Sequence, residues 1–430
     1  MLLKLLSYWH EVRSSLWALP LLMVAAAGIA AFLAVQLPVR QGDDPVWFLY
    51  SGDAEDAPQF LSNLVTAMIT MATLVISITM VVLTLAAQQL GPRLIRSFMA
   101  DRRTQVTLGL FVSTVVYLLL VLRSTSGATD SVPNLAVTGG TALVLLCLGA
   151  VLIFVHHLAR SIIADTTIDR VGEELDRDLV RLLPESDRDP APSPPIHPCE
   201  NGAPLTLLGS GYVQSVNYER LVEIAKKADA VIELEVKPGR HVILGSTFGW
   251  IHPPEAATEE RRSKIENCLA LEGERASIQD PENSIRQLVE VALRALSPSV
   301  NDPFTAMAVV DRLTESLAKV MRRGSAQCVW VDEDGLVRVL APRSTFADFL
   351  EEAFRQIRQH SREHPAVLIR LVESLGQLLA QAKAAQKSAL QKQIEIVLDV
   401  GRRSIAQKDD LDALENRASI ALGKTKTPKS

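Results

Sequence analysis

The chain has 430 residues, of which 48% are hydrophobic but only 5% aromatic, and its formal net charge is −5. That length leaves room for two or more domains, and the weakly acidic balance argues against a nucleic-acid partner.

The apolar mass lies in the first 160 residues, in four charge-poor runs: Ser14–Val39, Ala57–Pro92, Thr104–Leu122 and Ser131–Ala159. Each reaches the roughly 20 residues that a helix needs to cross a hydrocarbon core of about 30 Å. Four transmembrane helices are predicted, at about 15–37, 60–90, 104–123 and 134–158. The first run lies too far in and lacks a small-residue cleavage site, so it does not read as a cleaved signal peptide. Orientation follows from basic residues near the ends. Lys4, Arg13, Arg93, Arg96, Arg102, Arg103, Arg160 and Arg170 flank one side, whereas the first connection holds Arg40 among Asp43, Asp44, Asp53, Glu55 and Asp56. Both termini are therefore expected in the cytoplasm.

Residues 161–183 show apolar positions at helical spacing and read as a connecting helix. A Pro-rich, acidic stretch at 184–204 reads as a linker. Residues 205–253 alternate apolar and polar positions, with turns at Pro238-Gly239 and Gly245-Ser246, and predict a small β-rich, barrel-sandwich-like module. Asn217 is placed to cap a short helix within it. Residues 254–422 read as a mainly helical domain, with segments at 257–273, 281–296, 303–323, 345–382 (broken near Pro365) and 386–406. One hairpin at 328–342 interrupts it, turning at Asp334-Gly335. The tail at 423–430 is expected to be disordered. The fold class is thus membrane all-α plus an α+β cytosolic domain.

Three constellations stand out. At 100° per residue, Ser62, Thr66, Thr70, Thr73, Ser77, Thr84 and Gln88 fall on one stripe of helix two, within an arc of about 80°. The hydroxyls either bond back to carbonyls or across to a neighbouring helix, worth about 0.6 kcal/mol each, or they face a wet path formed by several copies. Hydroxyls can partly replace an ion's water. Next, Gly91-Pro92 ends or kinks helix two, and Arg93, Arg96, Arg102 and Arg103 follow, placed for anionic headgroups or for the inner mouth of a path. Finally, the turn after residues 281–296 carries Asn301 and Asp302, with Asp302 as N-cap and Pro303 in the first turn, and Arg286 and Arg294 are polar groups near it. It is an interhelical turn held by caps or a ligand or subunit contact.

No ionisable residue interrupts the helices apart from His156 and His157 at the end of the fourth, which argues against a proton- or sodium-driven pump. No nucleotide-binding, hydrolase or zinc-protease signature is present. His197 beside Cys199 lacks a second ligand pair, and Cys147, Cys268 and Cys328 are scattered, so free thiols are expected. No catalytic residue, metal or cofactor is expected.

The stretches "LVISITMVVLTLAAQQLGPRLIRSFMADRRTQVTLGLFVSTVVYLLLVLR" and "IRQLVEVALRALSPSVNDPFTA" resemble the bacterial predicted membrane proteins grouped as domain of unknown function twenty-two fifty-four. The likeness covers about residues 10–400. It implies a four-helix domain in the bacterial inner membrane plus a cytosolic domain, and brings no activity or catalytic residues. The expected partners are the lipid bilayer, further copies of the chain, and ions or a cytosolic ligand. The leading functional expectation is an oligomeric, channel-like ion conduit lined by helix two and regulated by the cytosolic domain. The competing one is a non-conducting sensor or scaffold whose cytosolic domain binds a partner or metabolite.

Overall fold

Four apolar helices build the first of two units into which the chain divides, residues 1–166 and 167–430. The computed structural model describes residues 17–36, 50, 55–90, 101–125, 133–161, 164–184, 202–275, 279–323 and 327–423. In the first unit, α1 spans Ala18–Gln36, α2 Asp56–Leu90, α3 Arg102–Thr125 and α4 Asn134–Ser161. All four are long and apolar enough to cross a bilayer.

The third helix is the hub, packing on α1, α2 and α4. Small residues allow this. A Cβ on Gly109 of α3 would lie 3.1 Å from the Pro20 Cα and 2.6 Å from the Met23 sulfur, so only glycine admits α1 this closely. On the other flank the Tyr117 hydroxyl donates to the Ala136 carbonyl at 3.1 Å. Thr114 and the Cys147 thiol meet at 3.3 Å in the buried α3–α4 seam. Hydroxyls inside this bundle thus find partners inside it.

The boundary between the units falls in the first turn of α5, Ala164–Leu182, whose apolar face of Ile168, Val171, Leu175 and Leu179 is buried. Strands β1 (Ala203–Thr206), β2 (Gly211–Val216), β3 (Val231–Leu234), β4 (His241–Val242) and β5 (Thr247–His252) follow, with α6 (Tyr218–Lys227) between β2 and β3. The Asn217 side chain accepts from the Arg220 N–H and caps α6 as expected. The turns at Gly239 and Gly245 both have positive φ.

Two sequence expectations need correction here. Residues 257–273 are not one helix: α7 covers only Glu259–Glu266, and Leu269–Glu272 is a strand, β6. The Asn267 amide bonds back to the Ser263 carbonyl at the helix end, and the apolar run that follows pairs antiparallel with β2. Nor does the hairpin stand alone among helices. Its strands, β7 (Val329–Val331) and β8 (Val337–Leu340), complete a five-stranded sheet ordered β1-β5-β3-β8-β7. The β3–β8 pairing is parallel; the other pairings are antiparallel, including the second sheet, β4-β2-β6. Leu205, Val213, Ile232, Phe248, Leu269 and Val339 belong to one core between them. Tyr218 of α6 stacks on Trp330 of β7 with ring centroids 3.9 Å apart.

The helical part comprises α8 (Pro281–Ala295), α9 (Pro303–Arg322), α10 (Phe346–His360), α11 (Pro365–Gln381), α12 (Ala384–Ser404) and α13 (Lys408–Ala421). Pro365 starts α11 after a 3₁₀ turn, where a break was expected. The Pro-rich linker from 185 to 201 and the tail from 424 lie outside the described residues.

Candidate functional site

The α2 helix has two unlike faces. Ala57, Leu61, Val65, Met68, Val75 and Val82 are buried in the bundle. Ser62, Thr66, Thr70, Thr73, Ser77 and Thr84 are all exposed. At 100° per residue the centre of this row lies about 160° from the centre of the buried face. The row therefore points away from the described helices of this unit. Thr79, the hydroxyl off the row, is buried instead and donates to the Val75 carbonyl at 2.6 Å.

Within the row the hydroxyls are not idle. Thr66, Thr70, Thr73 and Thr84 each donate to the carbonyl four residues earlier at 2.9 Å. Such back-bonding satisfies the proton and leaves the oxygen's remaining lone pairs facing outward. The row also extends past its expected limit. Gln59 is exposed, shares the phase of the stripe and donates to the Asn63 side chain at 3.4 Å. Glu55, exposed just before the helix, falls in phase as well, and Asp56 is exposed beside it. Sequence reasoning missed these because it began the helix at 60, though the periodicity that placed Ser62 also places Gln59.

Of the remaining expected residues at this end, Gln88 lies in α2 with its side chain outside the described residues, as are Arg93 and Arg96. Arg102 and Arg103 are exposed in the first turn of α3, not on α2. Asp101 caps that turn, accepting from the Thr104 hydroxyl at 3.0 Å, and its carboxylate sits 2.7 Å from Nε2 of His157. This ties the start of α3 to the end of α4.

The turn between α8 and α9 is built as the sequence suggests. Asp302 accepts from the N–H groups of Phe304 and Thr305, both at 3.1 Å, and from the Thr305 hydroxyl at 2.5 Å. These bonds hold the half-buried Asp302 carboxyl below the usual carboxylate range. Asn301 takes the left-handed conformation, φ 50°, that the tight turn demands. The structure does not bring Arg286 to this turn. It lies roughly three helical turns away on α8, where its guanidinium binds Glu352 of α10.

A denser polar cluster, unanticipated from the sequence, fixes α5 to α9. The carboxylate of Asp176 receives Arg312 at 2.5 Å, Lys319 at 2.6 Å and the Ser316 hydroxyl at 2.9 Å. Burial opposes ionisation of Asp176, but the bonds from Lys319, Arg312 and Ser316 outweigh it and lower its pKa. Nearby, burial pushes Asp178 up to about 6, with Glu174 adding to the rise against the pull of Arg181. Here the folded value exceeds the unfolded one, so the folded state binds the proton more tightly. Stability therefore falls as pH rises from about 4 to about 6. Asp178→Asn is expected to flatten that dependence and to stabilise the unit by about 1–2 kcal/mol at neutral pH. Thermal unfolding of the purified chain at acid and neutral pH checks this; an unchanged slope would contradict it.

Among the described residues no group of His, Cys, Asp and Glu is arranged to hold a metal ion. Cys147 and Cys268 are free thiols, and burial raises Cys268 to about 11, which leaves it a thiol at neutral pH.

Comparisons with known proteins point to a membrane protein. Uncharacterized proteins of Mycobacterium bovis and Mycobacterium tuberculosis are each 31% identical over 413 residues, covering 93% of this chain and 78% of the relative. No solved structure matches. A family model described as "Predicted membrane protein (DUF2254)" matches residues 13–377. With its four apolar helices, the chain belongs to the DUF2254 family of predicted membrane proteins.

Proposed function

We propose that the protein is an oligomeric ion conduit of the bacterial inner membrane, in which several copies of α2 bring their polar rows together around a common axis. The carrying observation is the direction of the row: Ser62, Thr66, Thr70, Thr73, Ser77 and Thr84 are exposed on the face opposite the one α2 buries in its own bundle. A row so placed meets either lipid or another copy. Closed cyclic assembly would convert the exposed stripe into an enclosed, wettable wall. The C-terminal unit, cytoplasmic in this reading, would regulate the conduit. The reading assigns no catalytic step.

A second reading, a non-conducting sensor or scaffold, draws support from the back-bonded protons, which lower the cost of leaving the hydroxyls against lipid. Imaging of the assembly in nanodiscs separates the two, together with ion flux through Thr70→Val and Ser77→Ala. In a conduit these substitutions are expected to reduce conductance several-fold at unchanged expression. Rows facing lipid, or flux indifferent to both changes, would sink the conduit.

A further inference from the structure

The chemistry of the row says more than that it is polar. A hydroxyl is in principle both donor and acceptor, and a path lined by free hydroxyls would serve ions of either sign. On α2 that symmetry is broken. Thr66, Thr70, Thr73 and Thr84 have committed their protons to the carbonyls of Ser62, Thr66, Ile69 and Met80. What remains outward at those four is oxygen lone pairs, while Ser62 and Ser77 keep their protons. Lone pairs coordinate cations and the protons of water, so the row is richer in acceptors than in donors.

Charge placement points the same way and is independent of the hydroxyls. From Ala57 to Pro92 the sequence has no Lys or Arg. At the N-terminal end of α2 the row begins at Glu55, with Asp56 beside it, both exposed. One N–H of the Gln59 amide is turned to Asn63. Arg102 and Arg103 belong to the first turn of α3 rather than to the row, where anionic headgroups are their natural partners.

Resting on the conduit reading above, we infer that the path takes small monovalent cations in preference to anions, through an acceptor-rich wall on α2 and a carboxylate ring contributed by Glu55 and Asp56 of each copy. Rings of carboxylates at a pore mouth raise local cation concentration and repel anions, and neutral oxygens beyond them let the ion pass without trapping it. An uncharged wall also suits a monovalent ion better than a divalent one, whose water is held more firmly.

The test is a reversal-potential measurement on the full chain in a planar bilayer, with potassium chloride at unequal concentrations on the two sides. The expected result is a reversal potential displaced towards the potassium equilibrium value, with the displacement reduced in the Glu55→Gln, Asp56→Asn double variant. A reversal near zero or towards the chloride value, or a potassium preference untouched in the double variant, overturns the inference while leaving a conduit in place. Absence of any current from protein imaged as a closed ring is a different failure. It removes the conduit reading, and this inference with it.

Discussion

Asp176→Ala should destabilise the C-terminal unit by about 3 kcal/mol, the scale of breaking a buried ion pair from one side. The size follows from what is left behind. Arg312 is almost fully buried and its Nη2 donates to Asp176 at 2.5 Å, with Glu315 at 3.4 Å as the more exposed alternative. Removing the carboxylate leaves a guanidinium desolvated with too little opposite charge, and also strips the Ser316 hydroxyl of its acceptor at 2.9 Å. Gly172 sharpens the effect, because a Cβ there would meet the Arg312 side chain at 2.1 Å; Arg312 is packed against the α5 backbone and has little room to swing out to solvent. Lys319→Ala is the control. Its amine touches the same carboxylate at 2.6 Å but is half exposed, so its loss should cost under about 1 kcal/mol. Denaturant or thermal unfolding of both variants, followed by Trp fluorescence, decides the matter. Equal effects from the two would show that Arg312 finds another partner.

Gly249→Ala is expected to cost about 3 kcal/mol or more and to disrupt the five-stranded sheet. Gly249 stands opposite Leu234 in the β3–β5 ladder. A Cβ there would lie 2.4 Å from the Glu233 carbonyl oxygen and 3.2 Å from the Leu234 Cα. Both are backbone atoms of the neighbouring strand and cannot rotate away, so the strands must separate or shift. Overpacking typically costs 1–3 kcal/mol, and a clash with backbone belongs at the upper end. The comparison is Gly245→Ala. Gly245 has φ 79° but nothing near its Cβ position, so it should lose only about 1 kcal/mol from the left-handed backbone. Trp250 sits in β5 beside the substitution, its indole N–H bonded to Glu235 at 2.7 Å, and reports on the strand directly. A Gly249→Ala protein that melts like the Gly245 variant would show that the ladder absorbs the extra carbon.

What the sequence makes legible is what local physics decides. Apolar runs long enough to span a bilayer yield α1 to α4. Asp302 before Pro303 marks the start of α9 because a carboxylate cap and a pre-set φ are both local devices. Asp334-Gly335 likewise announces its own hairpin. What stays hidden depends on partners far along the chain. Nothing in "CVWVDEDGLVRVL" tells that Val339 will lie beside Ile232 in a parallel pair. The helical spacing that runs through 257–266 offers no warning that Leu269 and Leu271 will be claimed by β2. The stripe on α2 is intermediate. Its phase is plain from periodicity, but its outward direction depends on which face meets α3 and α4, and only the burial of Leu61, Val65 and Met68 decides that. The Asp176 clasp is the least legible of all, since one aspartate among the charges of α5 looks no different from its neighbours until Arg312 arrives from α9.

The parallel β3–β8 pairing also sets an order of events during synthesis. When the ribosome has released β5, β3 has one neighbour and one bare edge, and the strand that covers that edge lies about 85 residues ahead, beyond α8 and α9. Through that interval the nascent chain carries an open row of backbone donors and acceptors, the kind of surface that recruits strands from other chains. A fragment ending after β6 would keep that edge for good, and such truncations are expected to aggregate rather than to behave as a separate β module.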